Sequence, residues 1–217
     1  MNVFVTGGTG YVGTAVVPAL LRRGHAVSVL TRAASRARVA EGAIAVDGDA
    51  LAASSFAAAI PRAATLVHLV GTPHPNPSKA DEFERVDLAS IRASVDASSL
   101  AGIAHLVYVS VAQPAPTMRV YVAVRAAGEA TIRQAGLAAT FLRPWYVLGP
   151  GHRWPLVLVP FYRIAEWVPG SRETARRLGL VTLAQMVSAL VDAVEHAPAE
   201  GSVRIVDVPQ IRAAPPI

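Results

Sequence analysis

Cysteine is absent from the 217 residues, which excludes a disulfide framework and a thiolate nucleophile. Of the 20 basic residues only Lys79 is a lysine. That bias, with the richness in alanine, fits GC-rich coding better than a binding adaptation. Charge is scarce: 16% of residues are charged against 53% hydrophobic, which excludes a disordered chain. No apolar run approaches the roughly twenty residues that a membrane span needs. Met1 leads almost directly into a first strand, so neither a signal nor a transit peptide is expected, and a cytoplasmic location is. The net charge of +5 and pI near 10.2 come from scattered arginines, with no aromatic-studded basic groove, so no nucleic-acid partner is expected. At this length one domain with a substantial core is expected.

Glycine, by contrast, is concentrated where it matters. Asn2-Val3-Phe4-Val5 reads as a buried strand, and Thr6-Gly7-Gly8-Thr9-Gly10-Tyr11-Val12-Gly13 follows at once. Val12, Val16, Ala19 and Leu20 then give a helical apolar face. Strand, glycine turn and helix together form a phosphate cradle. Gly7 allows the tight turn, Gly10 lets a diphosphate approach the backbone, and Gly13 lets the helix lie close on the strand. Thr9, Tyr11 and Val12 belong to the same expected cofactor site.

Pro18 falls inside this helix, where a kink is expected, and Gly24 closes it. The second strand, Ala26–Thr31, ends at Arg32. An acidic side chain there would hold ribose hydroxyls, whereas an arginine accommodates a 2′-phosphate. Arg32, with Arg36 behind it, favours NADP(H) over NAD(H). Ile44–Asp47 is a third strand running into Gly48-Asp49-Ala50, where Asp49 caps a helix through Leu51 to Ile60 and the turn lies beside the adenine. Thr65–Val70 is a fourth strand, and its His68 is read as a paired core histidine. Val70 and Gly71 then pass close to the cofactor. A long helix is expected over about Ser78–Leu100, ended by Gly102. A fifth strand, His105–Ser110, a helix over Tyr121–Gln134 and a sixth strand, Ala138–Arg143, stopped by Pro144, complete six strand–helix alternations. These predict an α/β fold with a parallel, doubly wound Rossmann sheet.

Beyond the sixth strand lie all three tryptophans, Trp145, Trp154 and Trp167, with Tyr146, Phe161 and Tyr162. Trp145, Tyr146, Trp154 and Phe161 are the candidate substrate wall, at the carboxyl end of the sheet where such folds bind ligands. A membrane-surface role for 154–167 is disfavoured, because Pro155, Pro160 and Glu166 interrupt its amphipathic pattern. Thr182-Leu183-Ala184-Gln185 is a capping box opening a helix with an apolar stripe, and Ser202–Asp207 is a last strand before a loose end. Residues 1–150 form the dinucleotide-binding core in this reading. Residues 151–217 form a small substrate-side segment whose helix and strand pack on the same core.

The chain resembles the extended and atypical short-chain dehydrogenase/reductases, in particular their NmrA-like NAD(P)-binding branch, over nearly its whole length. The carriers are the opening glycine motif, Gly48-Asp49, Val107–Ser110, Tyr121–Glu129, and Leu142-Arg143-Pro144 with Gly149-Pro150-Gly151. It is also similar to the NADPH-carrying accessory subunit of respiratory complex I. The resemblance implies a catalytic Ser or Thr with a Tyr-x-x-x-Lys pair, the tyrosine working on a substrate oxygen and the lysine holding the nicotinamide ribose. Here Tyr121 matches, Arg125 stands at the lysine position, and the serine position falls near Ala112, with Ser110 two residues earlier. Tyr121 and Arg125 share one helix face, and arginine for lysine is not a conservative exchange.

Two expectations follow. One is an NADP-dependent oxidoreductase on a small apolar or aromatic carbonyl or quinone, with Tyr121, Arg125 and Ser110 as catalytic residues and no metal. The other is a non-catalytic NADP(H)-binding redox sensor or assembly module with a protein partner that depends on cofactor state. A sugar-nucleotide epimerase or dehydratase ranks below both.

Overall fold

The computed structural model describes residues 1–115, 117–150 and 178–217. Strands β1 (Asn2–Thr6), β2 (Ala26–Thr31), β3 (Ile44–Asp47), β4 (Thr65–His68), β5 (His105–Val109), β6 (Ala139–Arg143) and β9 (Val203–Asp207) form one sheet in the order β3-β2-β1-β4-β5-β6-β9. Every pairing in it is parallel. Two three-residue strands, β7 (Tyr146–Leu148) and β8 (Leu180–Thr182), pair parallel beside it. The chain reverses its direction of travel across the sheet between β1 and β4. That switch point opens a crevice at the carboxyl ends of the strands.

Alternate residues of each strand feed two cores, because side chains in a strand alternate between faces. Val3, Val5, Val67, Val107 and Leu142 pack on one face with α1 (Gly13–Arg22) and α4 (Leu183–Glu195). Phe4, Leu66, Leu106, Tyr108 and Phe141 pack on the other with Ile91 and Val95 of α2 (Ala89–Ala101) and Ile132 of α3 (Arg119–Gln134). The predicted sheet is therefore the observed one.

Four details differ from expectation. Residues 51–60 form two short 3-10 turns, Ala53–Ser55 and Ala57–Ala59, instead of a helix. Ser55 Oγ lies 2.7 Å from the Ala52 carbonyl oxygen and accepts from the Asp49 N–H. A serine hydroxyl competing for backbone groups in this way disfavours helix. The long helix is not uniform either: a 3-10 turn at Pro77–Lys79 and a π-helical turn at Phe83–Leu88 precede α2. Strand β4 ends at His68, two residues early, although the Leu69 N–H still reaches the Thr6 carbonyl. Finally, the expected loose end contains α5 (Val208–Ala213). The Asp207 N–H donates to Gln210 Oε1 at 2.7 Å, and Pro209 sits in the first turn, a start signal that was present in the sequence. Among the described residues no helix is long and apolar enough to cross a membrane.

Candidate functional site

The site begins at the turn between β1 and α1. Gly7 has φ +77°, and a Cβ there would lie 2.8 Å from the Leu69 carbonyl carbon, so only glycine fits against the loop after β4. A Cβ on Gly13 would collide with the Gly7 carbonyl oxygen, so α1 starts flush against the strand turn. The Thr14, Ala15 and Val16 N–H groups of its first turn are taken by the Gly10 and Val12 carbonyls, and the positive end of the α1 dipole faces the carboxyl end of the sheet.

A cleft of about 740 Å³ opens from this turn across the ends of β1 to β6, within the size range of small-molecule sites. The structure brings together on its lining Gly7, Thr9, Gly10, Tyr11, Val12, Gly13, Arg32, Gly48, Asp49, Ala50, Val70, Gly71, Ser110, Tyr121, Arg125 and Pro144. Trp145 and Tyr146 join them at the β6 end. Trp154, Phe161 and Trp167 lie outside the described residues. Burial, then the neighbouring Tyr146, pushes the Tyr11 phenol above its ordinary value.

One basic residue is exchanged for another at the β2 end. Arg36 turns away and pairs with Asp47 at 2.6 Å, both side chains more than half exposed. Ser35 and Arg38 line the cleft instead, and Arg38 donates to the Thr9 carbonyl. The cause is local geometry. Ala33–Arg38 is a 3-10 helix, where residues three apart stack on one side. The spacing Arg32, Ser35, Arg38 carried that signal. Asp49 lines the cleft as expected, but its carboxylate accepts from the Leu51 N–H at 3.0 Å and caps a turn.

At the opposite end, α3 presents Tyr121 and Arg125. Ser110 follows β5 and is 3% exposed, and its Oγ has no hydrogen-bond partner among the described residues. Ala112 is fully buried, and its N–H is taken by the Pro144 carbonyl at 3.0 Å. Arg125 is 5% exposed. Its guanidinium donates to Asp87 Oδ1 at 2.6 Å and to the Val109 carbonyl at 3.1 Å, and lies 5.2 Å from the Tyr121 ring centre. Burial works against its charge, but the facing Tyr121 and Tyr108 and the Asp87 carboxylate hold its pKa above the ordinary arginine value. Asp87 was not foreseen as part of the site. Only the fold places residue 87 opposite residue 125.

Residues 7–153 match the model of an NAD(P)H-binding family. The chain is 28% identical over 177 residues to the ceramide reductase of Caulobacter vibrioides, across 80% of this chain and 55% of that protein. It thus spans about half the length of the curated relative it matches. Among solved structures, MoeE5 in complex with UDP-glucose and NAD superposes with a TM-score of 0.70 at 19% identity, covering 97% of this chain and 79% of that one. A short-chain dehydrogenase/reductase superfamily protein from Agrobacterium tumefaciens with bound NAD gives 0.68 at 19% identity, covering 98% and 82%. At such identities the likeness to these structures is one of fold.

Proposed function

The chain belongs to the NAD(P)H-binding family, and from that premise we propose that it is an NADP(H)-dependent oxidoreductase acting on a small apolar or aromatic carbonyl or quinone. The observation that carries this reading is the convergence on one cleft of the glycine turn, two arginines at the β2 end and Tyr121. The residues fit the cofactor: a Cβ at Gly10 would meet only the Gly7 carbonyl oxygen, at 3.2 Å, so the cradle is open above the helix N-terminus. Gly7, Gly10 and Gly13 would hold the diphosphate. Arg32 and Arg38 would hold a 2′-phosphate, which favours NADP(H) over NAD(H).

Bound there, NADPH would supply the hydride that a substrate carbonyl carbon needs for reduction. Tyr121 donates its phenolic proton to the substrate oxygen. Ser110, whose buried hydroxyl has no hydrogen-bond partner among the described residues, would bind that oxygen. Trp145 and Tyr146 supply apolar contact on the substrate side, which favours flat or aliphatic carbonyl compounds.

Calorimetry against NADPH and NADH tests the cofactor half, with NADPH expected about tenfold tighter and Arg38→Ala removing most of that margin. Oxidation of NADPH by benzaldehyde and menadione tests the chemistry, with Tyr121→Phe expected to slow turnover about a hundredfold or more. A Tyr121→Phe variant as fast as the parent would leave the reaction without its proton donor.

A second reading, a non-catalytic NADP(H)-binding sensor or assembly module with a protein partner, draws on Ala112 at the serine position. Retention of a protein by the loaded chain alone, with no NADPH oxidation, would favour it.

A further inference from the structure

Tyr121 and Arg125 lie one helical turn apart on α3. Each meets a residue of the π-helical turn, and those two are also four apart. The Phe83 ring packs edge-on against Tyr121 with centroids 5.0 Å apart, and Asp87 Oδ1 accepts from Arg125 at 2.6 Å. Phe83 and Asp87 are 1% and 0% exposed. A Phe-x-x-x-Asp pair on one helical segment thus clamps the Tyr-x-x-x-Arg pair on the other, at a π-helical turn of the kind that marks functional sites.

The other oxygen of Asp87 accepts from the backbone N–H and the hydroxyl of Thr72, at 2.9 and 2.7 Å. Arg125's second terminal nitrogen donates to the Val109 carbonyl. One buried carboxylate therefore joins three walls of the cleft: the loop after β4, the end of β5 and helix α3. Gly71 closes the arrangement, since a Cβ there would collide with the Arg125 guanidinium. The loop lies directly on the arginine.

An arginine that holds a ligand must turn donors toward it. Each terminal nitrogen of Arg125 already gives one hydrogen to a protein oxygen, so its two-nitrogen fork is committed to the protein, and a Cβ on Gly71 would lie against the nitrogen that meets Asp87. We propose that Phe83 and Asp87 are positioning residues and that Arg125 acts through Asp87: together they fix Tyr121 and the Gly71–Thr72 loop, and the arginine is not a ligand of the cofactor ribose. The inference rests on the reading of the cleft as an NADP(H) site with Tyr121 as proton donor. It changes the meaning of the arginine at the lysine position. The arginine replaces the ribose contact with a structural fork, for which two donor nitrogens and a planar group are needed.

The test is a charge-removal cycle on the full chain, with NADPH as the titrant and affinities read on the folded fraction measured by circular dichroism. Arg125→Met leaves a buried carboxylate without its cation, and the walls it joined shift. NADPH affinity is expected to fall about a hundredfold. Asp87→Asn combined with Arg125→Met removes both charges while the asparagine oxygen still accepts from Thr72. Affinity is expected to return to within about threefold of the parent. A double variant that binds as weakly as Arg125→Met would show that the arginine touches the cofactor, and would overturn the inference. Arg125→Lys keeps the Asp87 carboxylate paired without spanning Val109 as well, so affinity is expected within about tenfold of the parent and well above that of Arg125→Met. A loss as large as that of Arg125→Met would also overturn it. A parent that binds neither NADPH nor NADP⁺ removes the cofactor reading itself, and the parent titration tells that failure from the others.

Discussion

His68 stands in the middle of the sheet with no exposed surface. Its Nδ1 meets Thr6 Oγ1 at 2.9 Å and Ser94 Oγ at 3.0 Å, and its Nε2 meets Ser90 Oγ at 3.3 Å. Burial, reinforced by the charge of Arg125, pushes its pKa from 6.5 down to about 3. His105, paired with Thr140 Oγ1 at 2.9 Å, is pushed down to about 4 by burial and by Arg204. Both stay neutral in the fold and become protonated in the unfolded chain below about 6.5. The unfolded state therefore binds more protons between about pH 6.5 and 4, and stability falls as pH falls through that window. Each histidine contributes a slope of up to about 1.4 kcal/mol per pH unit. Urea unfolding of the parent and of His68→Gln across that range checks this, with a shallower slope expected for the variant. Equal slopes would mean that His68 is not a neutral core residue. The identity of His68 as a core histidine was readable from its place in an apolar strand. Its partners were not, because Ser90 and Ser94 belong to a helix whose rotation about its axis only packing sets.

Helix α4 shows the other extreme, an element written almost completely into local sequence. The Gln185 N–H donates to Thr182 Oγ1 at 3.2 Å, and the Thr182 N–H donates to Gln185 Oε1 at 2.9 Å. Met186, Val187, Leu190, Val191 and Val194 are all buried. The cap satisfies donors that the helix start cannot, so Thr182→Ala is expected to cost about 1 kcal/mol and Thr182→Ser a few tenths of that. Urea midpoints of the two variants decide it, and equal losses would show that lost packing rather than the cap is responsible. The stretch after Asp49 misled for the opposite reason. Its alanines suit a helix, but Ser55 closes a tight turn onto the Asp49 backbone. Arg38 lines the cleft rather than Arg36 because Ala33–Arg38 is a 3-10 helix, in which residues three apart, such as Arg32, Ser35 and Arg38, share a side. Periodicity locates an element well, and it cannot say which kind of turn aims a side chain.

Across the whole molecule, the cleft draws its lining from the ends of six neighbouring strands and from α3. Those strands were legible because each is a short apolar run bounded by turn residues. The pairings that assemble them, such as β4 beside β1 and β9 beside β6, join residues about 60 positions apart and follow from the handedness of the crossovers. The Asp87–Arg125 contact, 38 positions apart, inherits that long-range order and was legible from neither motif alone. A ligand spanning such a cleft stabilises the folded state by mass action, because the unfolded chain has no assembled site. NADPH at a hundred times its dissociation constant is expected to add about 2.7 kcal/mol. For a chain of this size that raises the melting temperature by roughly 5–10 °C. NADH at the same concentration should add less, because Arg32 and Arg38 have no 2′-phosphate to meet. The comparison is a thermal melt followed by circular dichroism, with and without each nucleotide. Equal shifts would remove the role given to the two arginines, and no shift with either would remove the cofactor site.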